Sequence, residues 1–343
     1  MVTAQAEDRL RIALLGGVPA ALGGGGLELQ MARTAAALRR RGHAVDHVER
    51  LEAGQAFDVL HAFGAEANVW HSVRHWRRAP APLVLSPVIV SSPGATERLL
   101  VLGAALPGIV STARMKRELL RRADAVVCLT DHERRLTGRL GLRDGPVTVI
   151  GNGVDVVPAD ELPRPPAELP GEPFALMLGG VSPRKRQREV AAALGGRTPV
   201  VIVGGWSGDR AERAAFERDV ARTGGIWLGE IADPAAVQAI QRRALCQVLL
   251  SEAETQSLAV LEALAVGLPV VVSDIPSHRE LHAAHPEAVH LVDTPSATAD
   301  AVRRVREAPR PRPADVPTWD DVAAELEGVY RGVTARARPA ARL

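Results

Sequence analysis

Aromatic side chains are scarce in this chain: they make up 3% of its 343 residues, with a single tyrosine. Its cores must therefore be filled by Leu, Val, Ile and Ala. Cysteine is nearly missing as well. Cys128 and Cys246 are the only two, each inside an apolar run (AVVCLT and RALCQVLL). They read as small buried hydrophobes, and the lack of any CxxC or Cys/His cluster excludes a disulfide framework and a structural zinc site. No charge of one sign dominates: 42 Lys and Arg stand against 40 Asp and Glu, a net +2 that gives no basis for binding nucleic acid. No apolar run approaches the length that spans a bilayer. The opening MVTAQAEDRL has no basic start followed by an apolar stretch, so no signal peptide is expected. These absences predict a cytoplasmic protein.

What is present is a globular balance, 46% hydrophobic and 24% charged, in a length that suits two α/β domains. RIALLG (11–16) reads as a first strand, followed by a glycine cluster and a helix from about Leu27 to Arg41. Ala32, Ala35, Ala36 and Leu38 mark its apolar side, and Arg39, Arg40 and Arg41 crowd its last turn, where the dipole favours cations. Further strands are expected at 44–49, 58–63, 83–90, 124–130 and 147–151. After the proline-rich stretch 157–173, which reads as an inter-domain linker, the pattern restarts. Strands are expected at 174–180, 199–205, 225–230, 246–251, 269–274 and 288–293. A second Pro/Arg-rich stretch (308–317) precedes a last helix from about Trp319 to Tyr330, and the tail beyond it is expected to fray. Apolar runs separated by helical patterns imply βαβ units and parallel sheets. Two doubly wound sheets of this kind form a central cleft between the carboxyl ends of their strands, where ligands bind.

Three segments carry chemistry. GGGGLELQ (23–30) lies between the first strand and first helix. Its glycines let backbone approach a ligand and its helix start offers free N–H groups; a flexible turn is the plainer reading. SPRKRQ (182–187) follows the strand FALMLGG, so Arg184, Lys185, Arg186 and Arg188 gather at a strand's carboxyl end. Cations there can neutralise a diphosphate leaving group, although such a run is more often a solvated helix start. SEAETQSLAVLEALAVGLPVVVSD (251–274) is the strongest signal. Glu254 falls between a strand and a helix, and Glu262 inside that helix, whose buried side is marked by Leu258, Leu261, Leu264 and Ala265. A carboxylate on such a helix can accept hydrogen bonds from ribose or sugar hydroxyls. The turn at Thr255, Gln256 and Ser257 offers N–H groups to an anion. An amphipathic helix with two exposed glutamates is the alternative.

In order and spacing these segments resemble glycosyltransferase family 4, a retaining family of the GT-B fold, along nearly the whole chain. GGLE (25–28) with ALRRRGHAV (37–45) is similar to the family's opening loop and helix. FDVLHAFG (57–64), RADAVVCLT (122–130) and VIGNGVD (149–155) are similar to its N-terminal domain. LGGVSPRKRQ (178–187) resembles its diphosphate turn, and Glu254 through Glu262, LEALAVGLPVV and SDIPSHRE (273–280) resemble its paired-glutamate region. TWDDVAAELEGVYR (318–331) resembles its final helix.

The resemblance implies two Rossmann-like, doubly wound parallel-sheet domains facing a central cleft. Residues 1–160 would form an N-terminal acceptor-binding domain, joined by the C-terminal helix 318–332. Residues 172–308 would form a C-terminal nucleotide-sugar donor domain. It implies a retaining hexosyltransferase that moves a sugar from a nucleotide diphosphate sugar to an acceptor hydroxyl. The alternatives within the fold are a non-catalytic nucleotide-sugar-binding subunit and a nucleotide-sugar epimerase. Lys185, with Arg184 beside it, would bind the diphosphate, Glu254 the transferred sugar and Glu262 the ribose. Gly25 and Gly26 would admit the donor's phosphate or sugar. Backbone at Ile231 would meet the base, and Thr255, Gln256, Ser257 and Leu258 would complete the donor turn. Lys185 and Glu254 are the expected catalytic residues.

No metal site and no cofactor beyond the sugar nucleotide are expected, since no Asp-x-Asp pair ends a suitable strand. The acceptor class, whether small molecule, glycan or lipid-linked, stays open. WHSVRHWRR (70–78) and MKRELLRR (115–122) set cations beside Trp or Leu, a composition suited to peripheral contact with the inner face of a membrane, though more often a solvated helix face. Two positions depart from the family pattern. Gly180 stands where an Arg is usual, and no His occurs near Val88; His61 and His71 are the nearest in sequence, and a strand His such as His61 more often packs than catalyses.

Overall fold

The structure, a computed structural model, describes residues 9–16, 25–48, 56–75, 81–90, 95–105, 111–141, 145–206 and 208–337. Gly23 and Gly24, residues 76–78 of the first cationic segment, the chain's first eight residues and the tail from 338 lie outside them. Two compact units emerge: residues 1–153 with 317–343, and residues 154–316.

The first unit holds a parallel six-stranded sheet, in the order β2-β1-β3-β4-β5-β6. Its strands are β1 (Arg11–Leu15), β2 (Ala44–Val48), β3 (Val59–Phe63), β4 (Leu83–Ser86), β5 (Ala125–Cys128) and β6 (Val147–Val149). The central strands β3, β4 and β5 are buried on both faces, which is why they read as mostly apolar runs, with only His61 and Ser86 polar, rather than alternating ones. Helices α1 (Gly26–Arg40), α2 (Ala67–His75), α3 (Ala95–Ala105), α4 (Thr112–Arg122) and α5 (Asp131–Arg139) belong to it. The second unit holds another parallel six-stranded sheet, in the order β12-β11-β10-β7-β8-β9. Its strands are β7 (Ala175–Leu178), β8 (Val200–Val203), β9 (Ile226–Trp227), β10 (Cys246–Leu249), β11 (Val270–Ser273) and β12 (Val289–Val292). With them run α6 (Gln187–Leu194), α7 (Arg210–Arg222), α8 (Pro234–Arg243), α9 (Leu258–Ala265), α10 (Pro276–Ala284) and α11 (Thr298–Glu307). Both free cysteines are buried, in β5 and β10.

The last helix, α12 (Trp319–Ala337), packs on α1 in the first unit and runs seven residues past the expected end at Tyr330. Buried Tyr330 explains its docking. The Tyr330 hydroxyl lies 2.7 Å from Nδ1 of His61 on β3, and His61 Nε2 lies 2.9 Å from Ser86 Oγ on β4. His61 is therefore a fully partnered core group, and burial pushes its pKa down to about 3. Along the contact between α1 and α12, Arg40 pairs with Asp320 at 2.8 Å and Arg41 with Glu327 at 2.7 Å. Burial raises the Glu327 carboxyl, but hydrogen bonds from Arg331, Arg41 and His43 outweigh it and hold it at about 2.

Several expectations need correction. The strand expected at 83–90 stops at Ser86, because Pro87 has no N–H to give and Val88 turns to φ 45, an uncommon state for a β-branched residue. Glu133 fixes this turn: its carboxylate accepts the amides of Ile89 (2.7 Å) and Leu129 (2.8 Å). The strand expected at 225–230 is only Ile226–Trp227, since Gly229 turns away at φ 75. On α1 the buried stripe is Gln30, Thr34, Ala35, Ala37 and Leu38, while Ala32 faces solvent. The proline-rich stretch 157–173 is not a free tether; it lies within the second unit. The Val157 amide donates to Gln238 at 2.9 Å, and Leu169 packs on the core. The stretch 308–316 is clipped to the same unit, with the Arg310 guanidinium on the Gly267 carbonyl at 3.0 Å and the Ala314 amide on the Leu264 carbonyl at 2.9 Å. No helix among the described residues is long and apolar enough to cross a membrane.

Candidate functional site

In the second unit β7, β8 and β9 run to one side of the sheet and β10, β11 and β12 to the other, so strand order reverses between β7 and β10. Ligands of open α/β sheets settle beyond the carboxyl ends of the strands at such a reversal. Lys185 follows β7 and Glu254 follows β10. The cationic turn and the glutamate loop, some seventy residues apart in sequence, meet there because β7 and β10 pair in the sheet.

The turn after β7 is a short 3-10 element, Pro183–Lys185, and Arg186 leaves it in the left-handed region at φ 53. It is stitched to the loop after β10. The Glu252 amide donates to the Arg184 carbonyl at 3.0 Å, and the Arg184 guanidinium donates to the Ala253 carbonyl at 2.9 Å. Arg186 pairs with Glu252 at 3.4 Å and Arg188 with Asp219 at 3.2 Å. Of the four cations, then, three hold protein partners. Lys185 differs: among the described residues its ammonium makes no hydrogen bond or ion pair, and it rests on Gly179. A Cβ there would stand 2.5 Å from Nζ, and Gly179 adopts φ 130, so only glycine leaves the ammonium its place. Burial lowers the Lys185 pKa; the Glu254 charge raises it and Arg184 lowers it further. The lysine is thus a desolvated cation close enough to Glu254 to feel its charge.

Glu254 is half-buried and held from several sides. The Ser251 hydroxyl donates to its Oε1 at 2.7 Å, and the Ser277 hydroxyl donates to its backbone carbonyl at 2.9 Å. The Ser273 hydroxyl donates to the Ser251 carbonyl at 2.6 Å. His278, fully buried, has Nδ1 at 2.9 Å from the Ser273 carbonyl, so Nδ1 carries the proton. Burial lowers its pKa against the hydrogen bond to Ser273 and the Glu254 charge, and leaves Nε2 an acceptor without a partner among the described residues. Thr255 is buried, its hydroxyl also without a partner there.

Ser257 precedes α9 without capping it by its side chain, so the first-turn amides remain available to an anion. Leu258 and Glu262 are half-buried on α9, Glu262 just past its first turn. Gln256 lies half-buried in the loop. Ile231 follows β9, packed against the core of the same unit. Gly25 and Gly26 belong to the first unit, where Gly25 precedes α1 and the space beside Gly26 is open. Gly180 likewise has room: a Cβ there would find nothing nearer than the Gly205 carbonyl at 3.8 Å.

Ser251, Ser273, Ser277, His278 and Gly179 escape the sequence reading. The available signal was a serine closing or following each of two apolar strands, CQVLLS and PVVVS. Two concavities of this unit, of about 290 and 680 Å³, lie along α7 around Arg213 and Glu217 and hold none of the candidate residues. Among the described residues no group of three His, Cys, Asp or Glu side chains is placed to hold a metal ion.

Comparison with known proteins matches both halves of the chain. Residues 46–153 match the family model described as glycosyl transferase 4-like domain, and residues 159–315 match glycosyl transferases group 1. The D-inositol 3-phosphate glycosyltransferase of Nocardiopsis dassonvillei is 30% identical over 270 residues, 67% of this chain and 61% of that protein. The chain thus spans about three fifths of the length of that relative. Among solved structures, sucrose-phosphate synthase from Thermosynechococcus elongatus superposes with a TM-score of 0.73 at 18% identity, over 95% of this chain and 100% of the other. HepE of Anabaena, in complex with UDP-glucose, superposes with a TM-score of 0.65 at 16% identity, over 97% and 99%. At these identities the two structures show a shared fold.

Proposed function

The chain belongs to the family-4 type of GT-B glycosyltransferases, and from that premise we propose that it transfers a hexose-type sugar from a nucleotide diphosphate sugar to an acceptor hydroxyl, with retention at the anomeric carbon. The observation that carries this reading is that Lys185 and Glu254 come together at the strand-order reversal: a desolvated cation that makes no hydrogen bond or ion pair among the described residues, within reach of the charge of a carboxylate with one oxygen engaged. UDP-glucose in a protein of the same fold supports a sugar nucleotide as donor.

In this reading Lys185 and the first-turn amides of α9 hold the diphosphate, with the Arg184 charge behind them. Glu254 contacts the transferred sugar and Glu262 the ribose. Backbone at Ile231 meets the base, Thr255, Gln256, Ser257 and Leu258 line the turn, and Gly25 and Gly26 let backbone approach the donor's phosphate or sugar. Both carboxylates arise from one segment, unlike the flanking pair of a retaining hydrolase. Transfer therefore proceeds at one face. The bond from the anomeric carbon to phosphate breaks, the acceptor oxygen bonds to that carbon from the same side, and the acceptor proton passes to the departing phosphate. Rate enhancement comes from positioning and from charge stabilisation of the leaving group. With fixed cations in that role, transfer needs no metal ion; activity lost in chelator and restored by magnesium would contradict this. The acceptor is a small molecule, a glycan or a lipid-linked acceptor met in the cytoplasm or at the inner membrane face.

A thermal-shift panel of UDP-, GDP-, ADP- and dTDP-sugars tests the donor. A ligand at a hundredfold excess over its Kd adds about 2.7 kcal/mol, and no shift with any of them would refute the reading. Gly180 supports a second reading, a non-catalytic subunit that binds the sugar nucleotide. Hydrolysis of the bound donor without acceptor rules it out.

A further inference from the structure

We propose that Ser251, Ser273, Ser277 and His278 are positioning residues that set the Glu254 carboxylate, fixing Oε1 and presenting Oε2 to the transferred sugar. The inference rests on the donor-site reading above and names residues which that reading does not use.

Glu254 sits in a loop, and a loop carboxylate on its own samples many rotamers. Here three elements constrain it. From just beyond β10, the Ser251 hydroxyl donates a hydrogen bond to Oε1 at 2.7 Å. From the start of α10, the Ser277 hydroxyl holds the Glu254 carbonyl at 2.9 Å. From the end of β11, the Ser273 hydroxyl holds the Ser251 carbonyl at 2.6 Å, and His278 holds the Ser273 carbonyl at 2.9 Å. Ser251 and His278 are completely buried and Ser277 is 2% exposed, so the donors are shielded from water and the Ser273 and His278 bonds are wholly buried, while the two that reach Glu254 are partly so. The chain of contacts runs from His278 through Ser273 and Ser251 to the carboxylate. Oε2 makes no hydrogen bond among the described residues and is left to accept one from a sugar hydroxyl. A site of this kind gains rate by holding Glu254 Oε2 in place before the sugar arrives, not by adding a contact.

Full-length variants assayed with the donor found in the thermal-shift panel test this. Ser251→Ala is expected to lower kcat about tenfold, the effect of losing a hydrogen bond to a charged group, while binding of the sugar-free nucleoside diphosphate stays within twofold. Amide exchange over 251–257 should quicken in the same variant. His278→Leu should behave likewise, whereas His278→Asn, whose amide nitrogen reproduces the Nδ1 donor, should recover most of kcat. Wild-type kcat and wild-type exchange in Ser251→Ala would overturn the proposal. So would equal losses in the His278→Leu and His278→Asn variants with unchanged exchange. If the wild-type protein binds no sugar nucleotide the donor reading fails, and the presentation of Oε2 to a sugar fails with it; the exchange measurement then reports on the scaffold alone.

Discussion

Replacing Lys185 by alanine should separate turnover from stability. The ammonium rests on Gly179 with no hydrogen bond or ion pair among the described residues, and burial lowers its pKa. A lowered lysine pKa means that the folded protein holds this proton less firmly than the unfolded chain does. Between the lowered value and 10.5 the unfolded state binds more protons, so stability rises with pH across that window, and at neutral pH the charge costs stability. A diphosphate reverses this by supplying the missing counter-charge. Lys185→Ala should therefore keep or raise the melting temperature of the ligand-free protein. Loss of one preorganised donor to a developing oxyanion costs a hundredfold to a thousandfold. The Arg184 charge, felt at Lys185, stays in the variant and points to the lower end, about a hundredfold in kcat/KM or about 2.7 kcal/mol. The assay is steady-state transfer or donor hydrolysis beside thermal denaturation without ligand. Donor affinity of the wild type should also weaken with rising pH before an ordinary lysine would titrate, with proton uptake on binding seen by calorimetry in two buffers. Activity within threefold of wild type refutes the assignment. A large loss of ligand-free stability refutes the claim that the buried lysine charge costs stability.

Gly179→Ala should lose comparable activity for a different reason, since its Cβ would take the ammonium's place in a backbone at φ 130; unlike Lys185→Ala, it should also lower the melting temperature. Gly180→Arg has room for its Cβ and should fold normally; a second cation should tighten nucleoside diphosphate binding by about tenfold, read by calorimetry. Glu133, wholly buried, has its pKa raised to about 7 by burial against the hydrogen bonds from Leu129 and Ile89 and the Lys116 charge. The folded state then binds the extra proton between pH 4.5 and about 7, so wild type loses stability relative to Glu133→Gln as pH rises through that window. The change amounts to roughly 3 kcal/mol by denaturant titration, and a pH-independent difference would contradict it. Tyr330→Phe leaves His61 Nδ1 buried without its partner and should cost about 1–3 kcal/mol in the same measurement.

The strands were legible because a parallel strand covered on both faces must be apolar along its whole length. Each strand expected from such a run lies at or within its expected bounds. The errors lie where a single residue overrides the pattern: Pro87 and Val88 end β4 inside a run that stays apolar to Val90, and Gly229 cuts β9 short. Proline content misled for a related reason. It marks segments without ladder hydrogen bonds, yet such segments can still lie clipped to a surface, as Val157 and Arg310 show.

The site divides along the same line. Lys185 and Glu254 were visible as residue types at strand ends, a local property. Their meeting depends on β7 pairing with β10, which is a property of strand order. Strand order follows from handed crossovers and from which faces the helices cover, and no local spacing records it. Ser251, Ser273 and His278 were invisible for this reason. Each is an unremarkable residue after an apolar run until β10 and β11 lie side by side, and only then can a hydroxyl at the end of one strand reach the carbonyl at the end of the other. A carboxylate held in this way is specified by the sheet as a whole, so altering the β10–β11 register should disturb Glu254 even with every residue of the glutamate motif intact.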